Sequence, residues 1–318
     1  RRAAPNGASR ERAKHAGPRH EHEWEVIINT LRDLGYRVSR DALVVSPHKI
    51  RPVRGGRPQV RDRVFICATR LAEGVTELPE LVALPDIAPL MRDWDPQDWN
   101  LEDSVLEERF AKKKERRHLE ISDKEKRWIA AWDDFVRTMW NQVGDGSLPG
   151  FPIWVDAWLD LDTQQLDTSR EPAWKSNFLR KNAEFYTKHR DVLDDWLDRH
   201  DRLSDFPASR RKFEWQAQDA RSLDETIMHF RPSGIRAKKP NYVPALVAIT
   251  QTTILGKQKR RISHREAARL QGFPDWFDFD DQKDSETFRQ LGNAVCVGAA
   301  FNVLRAQVSR DADLLHSE

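Results

Sequence analysis

The sequence has few cysteines and no long apolar run. Two of its 318 residues are cysteine, Cys67 and Cys296, and each lies within hydrophobic sequence. This usage argues against a disulfide scaffold and indicates a reducing, cytoplasmic environment. No stretch of about eighteen apolar residues occurs, which excludes a transmembrane helix and makes a membrane partner unexpected. The basic start of the chain has no apolar segment, so we expect no secretory signal there.

Metal-ligand spacing is also absent. His15, His20 and His22 include a His-x-His pair, but no set of cysteines or carboxylates completes a zinc pattern around them. We therefore expect no metal site. A zinc deaminase is disfavoured as well, because the sequence contains no Pro-Cys-x-x-Cys segment.

Charge, in contrast, is plentiful and unevenly distributed. Residues 1–70 hold 16 Lys+Arg against 7 Asp+Glu, which is +9, and residues 236–269 hold 9 against 1, which is +8. Residues 71–235 hold 24 against 34, which is −10, so two basic segments flank an acidic middle. Clustered positive charge indicates a polyanion such as duplex DNA as partner. A solvated surface with a basic tail is the alternative.

The first half of the chain begins with a helical pattern followed by two strand patterns. Apolar side chains recur at helical spacing from Glu21 to Leu34, and Gly35 is expected to end that helix in a left-handed conformation. Residues 36–45 and, after a connection rich in Gly and Pro, residues 63–68 are predicted to form two strands. A helix followed by such strands is typical of the closing elements of a doubly wound α/β domain.

The acidic middle, residues 91–235, is rich in tryptophan and shows repeated helical patterns. Tryptophans at helical spacing are more often core residues than base-stacking ones, although both interpretations are open. Beyond it, residues 244–254 predict a strand that returns to the core. A short helix over 265–270 and a final helix from about 285 to 308 complete the predicted elements.

Three motifs are the most specific features of the sequence. Residues 265–274 read REAARLQGFP, and residues 290–295 follow after a short spacer and read QLGNAV. Residues 56–67 read GRPQVRDRVFIC and contain a Pro-Gln-x-Arg-x-Arg pattern. In this order the three segments resemble conserved motifs of the cytosine-5 DNA methyltransferases.

The resemblance implies a fold and an organisation. The expected fold is α/β, the C-terminal part of a doubly wound (Rossmann-like) methyltransferase domain with a mostly helical target-recognition insertion. The expected segments are a disordered basic start (1–18), a partial catalytic domain of a helix plus two strands (19–90), a target-recognition region (91–242), a return to the catalytic domain (243–310) and a tail (311–318).

The Pro-Gln-x-Arg-x-Arg segment supplies the candidate catalytic residues. Gln59, Arg61 and Arg63 alternate along the chain, so in an extended conformation their side chains share one face. An arginine pair aimed into a cleft can hold a phosphate or donate to a base oxygen, whereas the alternative is a surface strand with solvated arginines. The resemblance implies that Arg63 contacts O2 of a flipped cytosine, with Arg61 and Gln59 supporting that site.

The two C-terminal motifs supply cofactor and domain-packing candidates. In residues 290–295 a glycine permits close backbone approach and is followed by an amide and small residues. The resemblance implies that Asn293 and Ala294 contact S-adenosyl-L-methionine, while an N-capped helix is the alternative. For residues 265–274 it implies packing of the target-recognition region against the catalytic domain.

Candidate DNA-binding residues come from two basic clusters. Lys257, Lys259, Arg260 and Arg261 directly precede the REAARLQGFP motif and are predicted to contact the DNA backbone. A solvated charge run is the alternative interpretation. Arg211 belongs to the basic-aromatic cluster of the acidic middle and is a further candidate.

The resemblance also names segments that this sequence does not contain. The family uses a Phe-x-Gly-x-Gly loop for the cofactor, a Pro-Cys nucleophile and a Glu-Asn-Val segment, and neither Cys67 nor Cys296 follows a proline. We therefore expect a restriction-modification methyltransferase portion that binds S-adenosyl-L-methionine and transfers its methyl group to C5 of cytosine only with an N-terminal portion. That portion is expected in a separate chain or to have been lost by truncation. The alternative is a non-catalytic DNA-binding module or an inactive truncated remnant.

Overall fold

The chain forms two compact units that are described separately. The computed structural model describes residues 21–72, 80–87, 91, 95, 99, 101–107, 117–144, 148–163, 171–246 and 252–315. Unit 1 comprises Arg1–Arg57, Arg61–Trp94 and Val295–Glu318, and unit 2 comprises Pro58–Val60 and Asp95–Ala294. The start predicted to be disordered lies outside the described residues.

Within the described ranges the secondary structure is mixed α/β. The helices are α1 (Glu21–Asp33), α2 (Leu101–Ser104), α3 (Asp123–Gln142), α4 (Asp156–Thr163), α5 (Ala173–Lys188), α6 (Arg190–Arg199), α7 (His264–Leu270), α8 (Asp284–Asn293), α9 (Val297–Arg310) and α10 (Ala312–Leu315). The strands are β1 (Tyr36–Val38), β2 (Leu43–Val45), β3 (Gln59–Val60), β4 (Arg63–Phe65), β5 (Ala68–Arg70), β6 (Ile153–Trp154), β7 (Lys212–Gln216), β8 (Ile227–Arg231), β9 (Gly234–Lys238), β10 (Val243–Pro244), β11 (Ile254–Leu255) and β12 (Arg260–Arg261).

Unit 1 begins with α1, which ends as the sequence predicts. Gly35 adopts a left-handed conformation with φ of 78°, and its N–H donates to Arg32 O at 2.8 Å. The single strand predicted over residues 36–45 is wrong, because its two ends pair with different partners. β1 pairs antiparallel with β5, and β2 pairs antiparallel with β4. The described residues of unit 1 thus contain two-stranded antiparallel sheets, where the sequence predicted part of a parallel sheet.

The core of unit 1 is closed by α9. Val303 and the buried Cys296 pack with Val45 of β2 in one hydrophobic cluster. The first turn of the helix lies directly against a loop, since a Cβ on Gly298 would lie 2.1 Å from Gly55 O. Neither position has room for a side chain, so two backbones meet there.

A buried ion cluster fixes the end of α9. Asp311 has no exposed side-chain surface and accepts hydrogen bonds from Arg310 and from Thr69 Oγ1 of β5. Burial opposes the ionisation of Asp311, but these hydrogen bonds hold the pKa of its carboxyl below the usual value. Arg37 of β1 lies 3.7 Å from the same carboxylate. The predicted tail at 311–318 therefore begins with a fixed residue, followed by the short helix α10.

Unit 2 contains a six-stranded sheet in the order β12-β11-β8-β9-β7-β6. The long strands β7 and β9 are parallel, and β8 is antiparallel to β9. The prediction of a mostly helical insertion over 91–242 did not include this sheet. Helices α2 to α6 are present, but three five-residue strands lie in the same segment and form the centre of the sheet.

Tryptophan rings form the core of unit 2. Trp132, Trp158 and Trp196 are fully buried, and the ring of Trp132 stacks on Phe213 of β7 with centroids 4.6 Å apart. The indole N–H of Trp132 donates to Arg210 O at 2.9 Å, which satisfies its polar atom. For these three tryptophans the core interpretation is confirmed.

Two further predicted elements are divided in the structure. The strand predicted over 244–254 is replaced by β10, which pairs in parallel with β3, and β11, which pairs with β8 and β12. Residues 247–251 lie outside the described residues. The final helix predicted over 285–308 consists of α8 and α9, because Ala294 between them is extended with ψ of 156°. In the part of the chain that the structure describes, no helix has the length and apolar content needed to span a bilayer.

We expect Lys238→Met to stabilise unit 2 at neutral pH. Lys238 in β9 is 6% exposed, and burial, with a contribution from Arg236, lowers its pKa to about 8 from 10.5. Since the folded pKa lies below the unfolded one, the folded state is penalised while the lysine is protonated, and stability rises with pH between those values. The gain on substitution should be up to about 3 kcal/mol at pH 7.

The measurement is urea unfolding at pH 7, 8.5 and 10. Lys239→Met is the matched control, because this neighbouring lysine is paired with Asp219 at the surface and should give no gain. A gain that is absent at pH 7, or that stays constant up to pH 10, would contradict the buried-charge explanation.

Candidate functional site

The Pro-Gln-x-Arg-x-Arg segment is not one continuous strand. Gln59 lies in β3, which pairs in parallel with β10, and Arg63 begins β4, which pairs with β2. Arg61 lies between the two strands. The prediction that the three side chains share one strand face is therefore wrong, because the strand changes partner after Val60.

Burial separates the three candidates. Gln59 is fully buried and Arg61 is 2% exposed, whereas Arg63 is partly exposed. The backbone N–H of Arg61 donates to Ser46 Oγ at 3.0 Å. Burial, reinforced by the neighbouring charge of Arg63, lowers the pKa of the Arg61 guanidinium to about 10. Of the two arginines, Arg63 is thus the one whose side chain a ligand can reach.

The side chain of Gln59 has an unusual environment. Neither Oε1 nor Nε2 of this buried amide has a hydrogen-bond partner among the described residues. Buried polar groups are nearly always paired, so an unpaired amide indicates a group that is satisfied by something else. The polar surroundings of a bound ligand or cofactor would supply such a partner.

Both thiols are unsuited to nucleophilic attack. Cys67 and Cys296 are each 1% exposed, and burial raises the pKa of both thiols. Each thiol therefore stays protonated at neutral pH and behaves as a small core residue.

The QLGNAV motif joins two helices. Asn293 is the last residue of α8, and the N–H of the extended Ala294 donates to Gln290 O at 2.8 Å. Asn293 is exposed while Gly292 before it is buried. The N-capping alternative is wrong, since Cys296 occupies the N-cap of α9 and makes no side-chain cap. The amide of Asn293 is accordingly accessible to a ligand.

The REAARLQGFP motif is organised by a buried carboxylate that sequence reasoning missed. Glu266 in α7 has no exposed surface, and its carboxylate accepts hydrogen bonds from both Nη atoms of Arg260, at 2.7 and 2.8 Å. It also accepts the backbone N–H groups of Ser263 and Glu107, at 2.8 and 2.9 Å. The hydroxyl oxygen of Ser263 in turn accepts a hydrogen bond from the Glu266 N–H, which completes a capping box. The Ser-x-x-Glu spacing was the available signal.

The basic run before α7 contains residues of two kinds. Arg260 is 2% exposed and is paired with Glu266. The prediction that Arg260 contacts DNA is therefore wrong, and its role is structural. Arg261 is paired with Glu125 and donates to Thr252 O. Lys257 and Lys259 are paired at the surface with Glu102 and Asp224, but their side chains are 72% and 69% exposed, which leaves these two accessible to a phosphate.

The two C-terminal motifs are directly connected. Gln271 is fully buried, and its Nε2 donates to Leu291 O at 2.6 Å. This bond attaches the end of α7 to the last turn of α8, two residues before Asn293. The position of the candidate cofactor residues therefore depends on the packing of α7.

The remaining candidate, Arg211, is held within unit 2. Its guanidinium is paired with Asp156 and donates to Phe206 O. The neighbouring Arg210 lies 4.8 Å from the Phe230 ring centroid, so this basic-aromatic cluster belongs to the core. Among the described residues, no group of three or more His, Cys, Asp or Glu side chains is arranged to hold a metal ion.

Glu266→Gln is expected to destabilise unit 2 by about 3–5 kcal/mol, because it leaves the Arg260 charge buried without a counter-charge. Urea unfolding measures the loss. Glu286→Gln, an exposed position in the first turn of α8, is the control and should be close to neutral. Arg260→Met should cost less in the Glu266→Gln background than in the wild type. A loss below 1 kcal/mol for Glu266→Gln would argue against this pair as the organiser of the motif.

Comparison with known proteins gives a coherent result. The chain is 40% identical to the type II methyltransferase M.AluI of Cellulosimicrobium cellulans over an alignment of 365 positions, which covers 94% of this chain and 70% of M.AluI. It is 51% identical to M.HgiCI of Herpetosiphon aurantiacus over 55 residues, 17% of this chain and 13% of that protein. A solved structure of the Entamoeba histolytica methyltransferase EhMeth matches with 11% identity and a TM-score of 0.34, covering 90% of this chain and 58% of that one. Similarity this low carries no argument.

A family model extends over nearly the whole sequence. The model of the C-5 cytosine-specific DNA methylases matches residues 14–309, a range that includes all three motifs described above. With this match and the identity to M.AluI along most of its length, the chain belongs to the C-5 cytosine-specific DNA methylase family.

Proposed function

We propose that this chain is the C-terminal portion of a DNA (cytosine-5) methyltransferase of restriction-modification type. The reaction transfers a methyl group from S-adenosyl-L-methionine to C5 of a flipped cytosine in duplex DNA, and the protein acts in the cytoplasm. The observation that carries the proposal is the graded burial of the Pro-Gln-x-Arg-x-Arg segment, with an accessible Arg63 beside a buried Arg61 and an unpaired Gln59. A solvated surface strand would not bury two of its three polar side chains.

Arg63 is assigned to the base. Its guanidinium would donate to O2 of the flipped cytosine, and the positive charge would stabilise electron density that moves onto the ring when C6 is attacked. The Arg61 side chain is too buried to reach a base, and the chain before β4 is fixed by the hydrogen bond that the Arg61 backbone N–H donates to Ser46 Oγ. The attacking thiolate belongs to the Pro-Cys segment of an N-terminal portion, because both thiols of this chain are buried.

The residues present fit the cofactor. Asn293 offers an exposed amide, and the small side chain of Ala294 permits close approach of a ligand. These two residues would hold S-adenosyl-L-methionine, which supplies an electrophilic methyl group when it is bound. A Gly-rich loop from the N-terminal portion would complete the pocket.

DNA backbone contacts are assigned to the accessible part of the basic run. Lys257 and Lys259 keep most of their side-chain surface exposed, and each lysine that neutralises a phosphate adds affinity that falls as salt increases. Arg260 and Arg211 are left out of this surface, because their carboxylate-paired side chains are only 2% and 25% exposed.

A second candidate is a non-catalytic DNA-binding module or an inactive remnant of the same enzyme. It is favoured by one observation, that the 318 residues contain no Pro-Cys dipeptide. Such a module would bind DNA through the same lysines but would not methylate it with any partner.

Methylation assays distinguish the two candidates. With duplex DNA and radiolabelled S-adenosyl-L-methionine, the chain alone should transfer no methyl group. Adding the N-terminal portion of M.AluI should restore transfer to cytosine, and Arg63→Ala should then lower kcat/KM by about 10²- to 10³-fold. Arg70→Ala, an exposed arginine in β5, is the control. Methylation by the chain alone would contradict the proposal, and no methylation with the partner portion would favour the remnant.

Asn293→Ala should weaken cofactor binding in the reconstituted enzyme. Loss of one hydrogen bond predicts a rise of about three- to tenfold in the Kd for S-adenosyl-L-methionine, with DNA affinity unchanged. Isothermal titration calorimetry measures the Kd for S-adenosyl-L-methionine, and fluorescence anisotropy measures the affinity for DNA. Arg289→Ala changes an exposed side chain of the same helix and should leave both as in the wild type. An unchanged cofactor Kd in Asn293→Ala would remove this residue from the pocket.

A further inference from the structure

The three long strands of unit 2 divide their side chains between two faces of the sheet. Phe213 of β7, Phe230 of β8 and Ile235 of β9 lie in the hydrophobic core on one face. Because side chains alternate along a strand, the residues between them belong to the opposite face. That face, which we call the basic face, carries Lys212 and Glu214 of β7, His229 and Arg231 of β8, and Arg236 and Lys238 of β9.

The strand register brings the charges of the basic face together. Arg236 lies between Glu214 on one neighbouring strand and His229 on the other. Oε2 of Glu214 accepts a hydrogen bond from Arg231 and lies 3.1 Å from Nε of Arg236. Among the described residues of these three strands, the basic face therefore holds four cations against one carboxylate.

His229 shows how closely the cations converge. Burial, together with the charges of Lys238, Arg236 and Arg231, lowers the pKa of its imidazole to about 3, so the ring is neutral at physiological pH. Nε2 of the ring lies 2.8 Å from Thr253 Oγ1. Nδ1 of His229 and Nε of Arg231 are buried and have no hydrogen-bond partner in the part of the chain that the structure describes. Since buried polar atoms are nearly always paired, both atoms indicate a ligand that supplies their partners.

The crowding of like charges on this face costs stability. Lys238 is buried, and burial and the charge of Arg236 lower its pKa to about 8. A surface that only has to remain soluble intersperses charges of both signs. Positions that break such a rule without a compensating contact are typically functional. An anion on the basic face would supply the compensating charge.

The chemistry of the basic face fits a phosphate backbone. The side chains of Arg231 and Arg236 are each 31% exposed, so a ligand in solvent can reach them, and the planar guanidinium matches the geometry of a phosphate. A protein partner is disfavoured, because the cores of protein–protein interfaces are depleted of charged residues. The sequence does not reveal this surface, since Arg231 belongs to the acidic segment 71–235 and Arg236 to the basic segment 236–269.

We infer that the basic face of unit 2 binds the phosphate backbone of duplex DNA through Arg231 and Arg236. This inference rests on the proposed function and adds to it a second surface, built on the sheet and separate from Lys257 and Lys259 in the connection between β11 and β12. Contacts of this kind hold the duplex in place without reading its bases.

The test measures binding of labelled duplex DNA by the full 318-residue chain, using fluorescence anisotropy at several salt concentrations. Arg231→Gln and Arg236→Gln should each weaken binding about three- to tenfold and reduce the salt dependence of the logarithm of affinity by about one unit of slope. Two duplexes of unrelated sequence should be affected equally, because a phosphate contact carries no sequence information.

Arg180→Gln is the matched control, because it removes the same charge from the other side of the sheet. Arg180 lies in α5 and its side chain is 69% exposed. Phe185 and Tyr186 of the same helix pack into the core that covers the apolar face. This variant should bind both duplexes as the wild type does.

Glu214→Gln distinguishes an electrostatic effect from a folding defect. It removes the carboxylate that pairs with Arg231 and Arg236, so the basic face becomes more positive and DNA binding should tighten about two- to fivefold. A damaged fold would weaken binding instead. Melting followed by circular dichroism checks that each variant is folded at the temperature of the measurement.

Unchanged affinity and salt dependence in both arginine variants would overturn the inference. It would also be overturned if Glu214→Gln bound no more tightly than the wild type, or if the wild-type chain did not bind duplex DNA. A loss confined to one of the two duplexes would assign the arginines to base reading and contradict the backbone contact. If the arginine variants lose affinity as expected, but the chain combined with the N-terminal portion does not methylate DNA, the proposed function fails and the basic face stands.

Discussion

The carboxylate of Glu266 is buried without solvent contact and is surrounded by donors. It takes two hydrogen bonds from Arg260 and one each from the backbone at Ser263 and Glu107, so one group joins β12, the start of α7 and the segment after α2. Removing such a charge from water costs several kcal/mol, and only a full set of partners offsets that cost. The local structure is therefore specified as a whole, because no single partner can move away without leaving the others unsatisfied.

From this carboxylate a short chain of contacts leads to the candidate cofactor residues. α7 continues from Glu266 to Gln271, whose amide holds Leu291 O in α8, and α8 ends at Asn293. The two sequence motifs are thus one structural piece, in which the first fixes where the second ends. In this chain the first motif therefore has a structural role, since Glu266 and Gln271 are both fully buried.

Local patterns in the sequence were sufficient for some elements and insufficient for others. The end of α1 at Gly35 and the span of α7 follow from residues within a few positions, so they were predicted. The break of residues 36–45 into two strands depends on which distant segments pair with them, and local pattern carries no such information. Arg260 was misassigned for a different reason, since its counter-charge Glu266 lies only six positions later and the Ser-x-x-Glu signal of the capping box was not used. The roles of Arg63 and Asn293 came from resemblance and remain predictions.

The contact between Gly55 and Gly298 has a consequence for the outer surface of unit 1. Because the first turn of α9 meets the loop backbone without side chains between them, the helix cannot turn about its own axis without a steric clash. Asn302, which donates to both Arg54 O and Gly298 O, holds the same orientation one turn later. The side of α9 on which Phe301 and Leu304 lie is consequently fixed by unit 1 itself. The orientation of α9 is thus fixed by the loop backbone at Gly55 and by the hydrogen bonds of Asn302.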